Sequence, residues 1–246
     1  GHSLHGWQSN VEADWKVVDG AIEVTTGEVG LLSTTTEFSD YKLKFDFRSD
    51  RDTNSGVFLR TAAKPKDPTK DCYEWNIAGG DNPFPTGSLV GRKKVDGDFS
   101  GADWQTWEVT VLGPQITVHR NQETILEYTD PQPLRRGRIG LQHNQGRVRF
   151  RNICLKPLGM NRIFNGEDLS GWTVRPGMES EFSVTPAGHM KVIGGRGQIE
   201  TEGQYSDFVM QLECMTHGKY LNSGVFFRCI PGDVMMGYES QIHNGF

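Results

Sequence analysis

Three side chains in this sequence are of types that can move protons or stabilise charge during a reaction. Glu74 stands between a tyrosine and a tryptophan, and a carboxylate beside aromatic surface can have a raised pKa suited to proton transfer. His143 carries an imidazole, which titrates near neutral pH. Arg60 carries a fixed charge that can orient a sugar or stabilise a developing oxyanion. The alternative is a structural ion pair between Glu74 and Arg60.

The segments around these residues predict the strands that position them. In residues 57–60 the valine and the leucine are expected to face a core, whereas Phe58 and Arg60 face a cleft. The preceding Asn54-Ser-Gly is typical of a tight turn. Asn76 follows the glutamate by two residues and shares its face of a second strand. Nearby aromatic residues supply either flat platforms for sugar rings or core packing: Trp75, Phe84 and Trp104.

Alternation of apolar and polar residues predicts an all-β fold. Residues 41–47 read Tyr-Lys-Leu-Lys-Phe-Asp-Phe, the period of two of a half-buried strand, and residues 208–214 repeat this pattern. Gly113-Pro114 separates two further alternating runs and predicts a hairpin, while residues 147–155 predict a closing strand. About a dozen strands per copy is typical of a two-sheet sandwich or jelly roll.

The sequence repeats itself at a domain-sized interval. Gly1-His-Ser-Leu-His-Gly-Trp resembles Gly166-Glu-Asp-Leu-Ser-Gly-Trp, a shift of 165 residues. Three later motifs recur in the same order: Phe38–Tyr41 with Tyr205–Phe208, Asn54–Arg60 with Asn222–Arg228, and Tyr73-Glu74 with Tyr238-Glu239. The repeat predicts two tandem domains, residues 1–157 and residues 158–246. The second holds only the N-terminal part of a copy, so we expect the given chain to be incomplete.

Composition excludes several classes of partner. The 246 residues carry a formal net charge of -5 without a basic patch, which argues against nucleic acid. No apolar run approaches the roughly 18 residues of a membrane span. The four cysteines have no CxxC spacing, which argues against a structural zinc site.

Several motifs together resemble the 3-keto-disaccharide hydrolase family over essentially the whole chain. They are Phe164-Asn-Gly-x-x-Leu-x-Gly-Trp172, Asn-Ser-Gly-Val-x-x-Arg, Tyr-Glu-x-x-Ile, Ile139-Gly-Leu-Gln142 and Phe150-Arg-Asn-Ile153. The resemblance implies a concanavalin A-like jelly roll whose sugar cleft acts on glycosides with a ketone at C3. That ketone acidifies the C2 proton, so a base can remove it and expel the C1 substituent, after which water adds back.

The resemblance implies roles for individual residues. Glu74 or His143 is expected to be the base and Arg60 the electrophile. The expected substrate-binding residues are Phe58, Trp75, Asn76, Gln142 and Arg151, with Arg228, Glu239 and Gln241 in the second copy. A divalent cation held by Asp81, Glu74 and His143 is a further hypothesis. The partner is a carbohydrate, and the family implies a periplasmic or secreted protein.

Two other functions stay open at this point. This fold also serves non-catalytic carbohydrate-binding modules, and tandem copies suit a binder because duplicated weak sites gain avidity. A purely structural or adhesive domain is the third possibility. Ordinary retaining glycoside hydrolysis is disfavoured, because the sequence has no Glu-x-Asp-x-x-Glu spacing.

Overall fold

The computed structural model describes residues 1–245, and the regular secondary structure among these residues consists of β-strands alone. The predicted all-β fold is therefore confirmed. The chain divides into two compact units, Gly1–Met160 and Asn161–Phe246. Within the described part of the chain, nothing forms a helix long and apolar enough to cross a lipid bilayer.

The first unit contains twelve strands in two antiparallel sheets. The strands are β1 (Trp7–Ser9), β2 (Lys16–Val18), β3 (Ala21–Val24), β4 (Gly30–Thr34), β5 (Tyr41–Ser49), β6 (Ser55–Thr61), β7 (Tyr73–Ile77), β8 (Gln105–Leu112), β9 (Gln115–Arg120), β10 (Glu123–Thr129), β11 (Arg138–His143) and β12 (Val148–Pro157). One sheet has the order β1-β4-β11-β6-β7 and the other the order β10-β9-β8-β5-β12-β3-β2. The hairpin predicted at Gly113-Pro114 joins β8 to β9, as expected.

The core lies between the two sheets and follows the alternation of the sequence. The apolar residues of β5 are buried, while the lysines between them are partly or fully exposed. Trp75 of the five-stranded sheet meets Phe45 and Trp107 of the seven-stranded sheet edge-on, with ring centroids 5.0 Å apart in both pairs. Such aromatic contacts bury large areas and tie the two sheets together.

Two bulges interrupt the alternation. The register of β6 against β11 shifts near Arg60, which has a φ of 47°, and the register of β12 against β5 shifts near Asn152, with a φ of 51°. A bulge inserts an extra residue into one strand, so the residues beyond it no longer face where simple alternation places them.

The described residues of the second unit form six short strands in three two-stranded sheets. They are β13 (Trp172–Val174), β14 (Glu181–Val184), β15 (Met190–Ile193), β16 (Ile199–Thr201), β17 (Asn222–Phe227) and β18 (Tyr238–His243). The strand predicted over residues 208–214 is absent. Its counterpart β5 is hydrogen-bonded to β8 and β12, and the described residues of the second unit contain no counterparts of those two strands.

Candidate active site

Glu74 lies on the outer face of the five-stranded sheet, which points away from the core. Register partners form a row across this face, one from each strand: Gln8, Ser33, Gly140, Phe58 and Glu74. The residues between them on each strand, such as Val57 and Leu141, belong to the core. The row therefore carries one carboxylate, at the β7 end of an otherwise uncharged line of residues.

Gly56 allows Glu74 to lean across the neighbouring strand. A Cβ atom at position 56 would lie 3.3 Å from Cγ and 3.5 Å from Oε1 of Glu74. Because glycine leaves this space free, the carboxylate crosses β6 and accepts a hydrogen bond from Gln142 on β11. Ser55 and Gly56 belong to a strand, so the tight turn predicted for residues 54–56 is wrong. The glycine permits a close approach between side chain and backbone.

Glu74 is almost excluded from water, and part of its surroundings is apolar. Glu74 is 8% exposed, and a cluster of Leu31, Phe58 and Cys72 is buried beside this part of the sheet. Burial raises the pKa of Glu74 to about 7, while the hydrogen bond from Gln142 favours the charged form and limits the rise. No ion pair among residues 1–245 includes Glu74. A carboxylate in this state exchanges a proton near neutral pH, as a general base requires.

Two amide side chains accompany Glu74. The backbone carbonyl of Gln142 accepts a hydrogen bond from Oγ of Ser55 at 2.7 Å, which fixes β11 against β6. Oε1 of Gln142 is buried and has no hydrogen-bond partner in the described structure. Asn76 is buried, and its Nδ2 atom donates to the backbone carbonyl of Phe84. Gln142 thus has spare hydrogen-bonding capacity, whereas Asn76 is occupied with anchoring the loop after β7.

The prediction that Arg60 faces the cleft is wrong. Arg60 sits at the bulge in β6 and is 2% exposed, because its side chain turns into the end of the sandwich. Its guanidinium donates to the backbone carbonyls of Ser39 (2.7 Å), Gly113 (2.8 Å) and Leu134, and it pairs with Asp40 at 2.6 Å. Arg60 is therefore a structural clamp, and the alternative ion pair with the glutamate is absent as well.

The structure does not bring His143 or Trp75 to the face that carries Glu74. Successive strand residues point to opposite faces, so Gln142 takes the outer position on β11 and His143 the inner one. His143 is 4% exposed, and its Nδ1 atom has no partner among the described residues. Trp75 is wholly buried in the core. The prediction of Trp75 as a sugar platform is therefore wrong, and its alternative reading as a core residue is confirmed.

The remaining candidates of the first unit divide between the two sheets. Phe58 shares the row with Glu74. Arg151 lies on β12 of the other sheet, where it pairs with Asp46 at 3.3 Å and stacks over Trp104, 3.9 Å from the ring centroid. Arg151 and Trp104 are therefore not part of the Glu74 face.

The second unit repeats the hairpin that carries the glutamate. Glu239 on β18 lies opposite Phe226, in the register in which Glu74 lies opposite Phe58. Arg228 again has a positive φ, 52°, and it bonds to Ser206 and Asp207, which match Ser39 and Asp40. In contrast to Glu74, Glu239 is exposed, as is Gln241, which is hydrogen-bonded to Asn222.

The cation site predicted from Asp81, Glu74 and His143 is not assembled. Asp81 is exposed in the loop after β7, and His143 faces inward from β11. Among residues 1–245 there is no group of three or more histidine, cysteine, aspartate and glutamate side chains that could hold a metal ion.

The sequence did not indicate several residues of this face, namely Gln8, Leu31, Ser33, Cys72 and Gly140. In β4 three consecutive residues are buried, so alternation gives no sign of which leucine faces outward. Gly56 was the one local signal, because a glycine in a strand can mark a close approach, but its Asn-Ser-Gly context predicted a turn instead.

Comparisons with known proteins agree with this architecture. The sequence profile of the 3-keto-alpha-glucoside-1,2-lyase-like domain matches residues 1–156 and, separately, residues 159–246. No curated protein sequence matches the chain significantly.

Solved structures share the fold of the chain. A candidate glycosyl hydrolase from Parabacteroides distasonis aligns with a TM-score of 0.53 and 23% identity, over 64% of this chain and 96% of its own. The carbohydrate-binding module CBM66 from Bacillus subtilis aligns with a TM-score of 0.51 and 12% identity, over 61% of this chain and 95% of its own. At these identities the likeness extends to the fold alone, a jelly roll used by carbohydrate-acting proteins.

Proposed function

The chain belongs to the family of 3-keto-alpha-glucoside-1,2-lyase-like domains, and from this premise we propose that its first unit cleaves 3-keto-glycosides by elimination, with Glu74 as the base. The observation that carries the proposal is the environment of Glu74. This carboxylate lies on an outer sheet face, is almost excluded from water, has no cationic partner among residues 1–245 and has a pKa raised to about 7. The family resemblance supports a periplasmic or extracellular location for this activity.

The proposed reaction uses the acidity that a C3 ketone gives to the proton on C2. Glu74 takes that proton, and the electron pair of the C2–H bond moves toward the ketone to give an enolate. The enolate reforms the ketone as the C1–O bond breaks, and the leaving oxygen takes a proton from Glu74. Addition of water across the resulting double bond completes hydrolysis. One group serves as base and then as acid, which suits a pKa near the working pH.

Gln142 supports both protonation states of Glu74 in this scheme. Its amide N–H donates to the ionised carboxylate, and its unpartnered Oε1 offers an acceptor to a protonated carboxyl group or to a substrate hydroxyl. Asn76 holds the adjacent loop, and Phe58 supplies apolar surface beside Glu74.

A non-catalytic carbohydrate-binding module is the second candidate function. The structural likeness to CBM66 supports a fold that suits sugar binding without turnover. The two functions differ in one outcome, because a binding module retains the sugar and releases nothing.

The decisive experiment compares a 4-nitrophenyl 3-keto-glucoside with the unoxidised 4-nitrophenyl glucoside, each with and without EDTA. We expect nitrophenol release from the ketone alone, and about 10²- to 10⁴-fold slower release by Glu74→Gln, the range for loss of a general base. Since the base must be ionised, kcat/KM should rise with pH through about 7 and then level off. Equal release from the unoxidised glucoside, or measurable sugar binding without release, would contradict the elimination proposal.

A further inference from the structure

The outer face of the seven-stranded sheet carries a second row of polar side chains, on the opposite side of the sandwich from Glu74. The row consists of register partners on five adjacent strands: Cys154, Lys44, Glu108, His119 and Thr124. Core residues alternate with them on β5, β8 and β9, for example Phe45, Trp107 and Val118. The side chains of the row therefore point outward.

A depression of about 380 Å³ lies over the middle of this row. Its polar lining comes from Lys44, Glu108 and His119, from Asn121 and Gln122 in the turn between β9 and β10, and from Thr106, whose hydroxyl already donates to Asp46. Both turn residues have positive φ, 49° and 70°, as a two-residue hairpin loop requires. Small-molecule sites span roughly 300–1,000 Å³, so the depression has room for one sugar residue.

The charges around the depression do not balance. Glu108 is paired with Lys42 at 2.8 Å, so this carboxylate is already neutralised. Lys44 is exposed and forms no ion pair within residues 1–245. The Nδ1 atom of His119 is buried and has no hydrogen-bond partner in the described part of the chain. The depression thus offers an unpaired cation, an imidazole ring whose Nδ1 lies beneath the surface, and two amide side chains.

From this set of groups we propose that the depression binds a sugar that carries a carboxylate, that is, a uronic acid residue. Lys44 pairs with the carboxylate, while His119, Asn121 and Gln122 hydrogen-bond to the ring hydroxyls. A neutral sugar leaves the ammonium group of Lys44 without its partner, and a simple carboxylate leaves the imidazole and the amides unused. This site is separate from the Glu74 face, so the proposal does not depend on the proposed elimination activity.

The chain contains its own probe for occupancy of this site. Cys154 is exposed and is the register partner of Lys44, while Cys214 is exposed in the second unit and serves as the internal control. We would measure the alkylation rates of both thiols with iodoacetamide by peptide mass spectrometry. Methyl glucuronide should slow the alkylation of Cys154 several-fold, with saturation at millimolar concentration, and leave that of Cys214 unchanged. Titration calorimetry provides an independent dissociation constant.

Variants and ligand analogues make the test specific. Lys44→Ala and His119→Ala should each weaken the calorimetric affinity about tenfold or more, whereas Lys156→Ala, an exposed lysine on the same strand as Cys154, should leave it unchanged. Glu74→Gln should also leave it unchanged, which separates this proposal from the elimination reaction. Equal binding of methyl glucoside or of acetate would overturn the proposal, as would the absence of both saturable protection and binding heat.

Discussion

The hairpin that carries Glu74 and the hairpin that carries Glu239 have the same strand register but different surroundings. In both, the glutamate lies opposite a phenylalanine of Asn-Ser-Gly-Val-Phe, and the glycine of that motif lies beneath the carboxylate. Glu74 is 8% exposed, whereas Glu239 is exposed on a hairpin that pairs with no further strand among the described residues. The motif therefore encodes the hairpin, and its neighbours determine the chemistry of the glutamate.

The neighbours that differ are strands from distant parts of the sequence. In the first unit β11 pairs with β6 and supplies Gln142, and β4 pairs with β11 and supplies Leu31. These two strands, together with the buried Phe58, remove Glu74 from water and raise its pKa. The hydrogen bond and much of the burial that tune Glu74 therefore come from strands outside the local motif.

The largest expected difference between the two hairpins is in turnover. Glu74→Gln should lower the release of the leaving group from a 3-keto-glucoside by about 10²- to 10⁴-fold, because the base is lost. Glu239→Gln is the matched control and should change the rate less than twofold, since an exposed carboxylate lacks the environment that tunes Glu74. Steady-state rates of leaving-group release, measured for both variants at pH 8, test this prediction. A large loss with Glu239→Gln would mean that the second unit contributes to catalysis.

The sequence predicted the parts of this comparison that depend on local pattern. Alternation identified β5, the hairpin of β8 and β9, and β12, and the repeat identified both copies of the motif that carries the glutamate. It could not place Arg60, because the bulge at Arg60 itself interrupts the alternation and turns the side chain away from the outer face. It also placed both Gln142 and His143 at the site, whereas adjacent strand residues point to opposite faces and only Gln142 lies beside Glu74.

The next largest expected difference is in how much Arg60 and Arg228 stabilise their respective units. Arg60→Met should lower the free energy of unfolding of the first unit by about 3 to 5 kcal/mol, because it leaves buried carbonyls and Asp40 without their partner. Arg228 is about half exposed and pairs with the exposed Asp207. Arg228→Met should therefore cost less than about 1 kcal/mol.

Hydrogen exchange can report these two effects separately on the full chain. The peptide that covers Ser55–Thr61 should lose protection in Arg60→Met, whereas the peptide that covers Asn222–Phe227 should change little in Arg228→Met. Equal losses of protection in the two peptides would show that the contacts of Arg228 stabilise their strand as much as those of Arg60 do, although Arg228 is exposed.

The smallest expected effect comes from the glycine beneath each glutamate. In Gly56→Ala the new Cβ lies 3.0 Å from the backbone oxygen of Trp75 and 3.3 Å from Cγ of Glu74, so the Glu74 side chain must shift away from Gln142. We expect about a tenfold lower kcat/KM, which corresponds to roughly 1.4 kcal/mol. The pH midpoint of activity should also rise above about 7, because loss of the hydrogen bond from Gln142 removes the interaction that favours the charged form of Glu74.

Gly224→Ala is the matched control for this change. The new Cβ would overlap Oε1 of Glu239, but this atom is the end of an exposed, flexible side chain that can move aside. Turnover and its pH midpoint should therefore stay unchanged. If Gly56→Ala also leaves both unchanged, Glu74 does not need to cross β6 to act. The difference between the two hairpins would then rest on burial alone and not on the contact with Gln142.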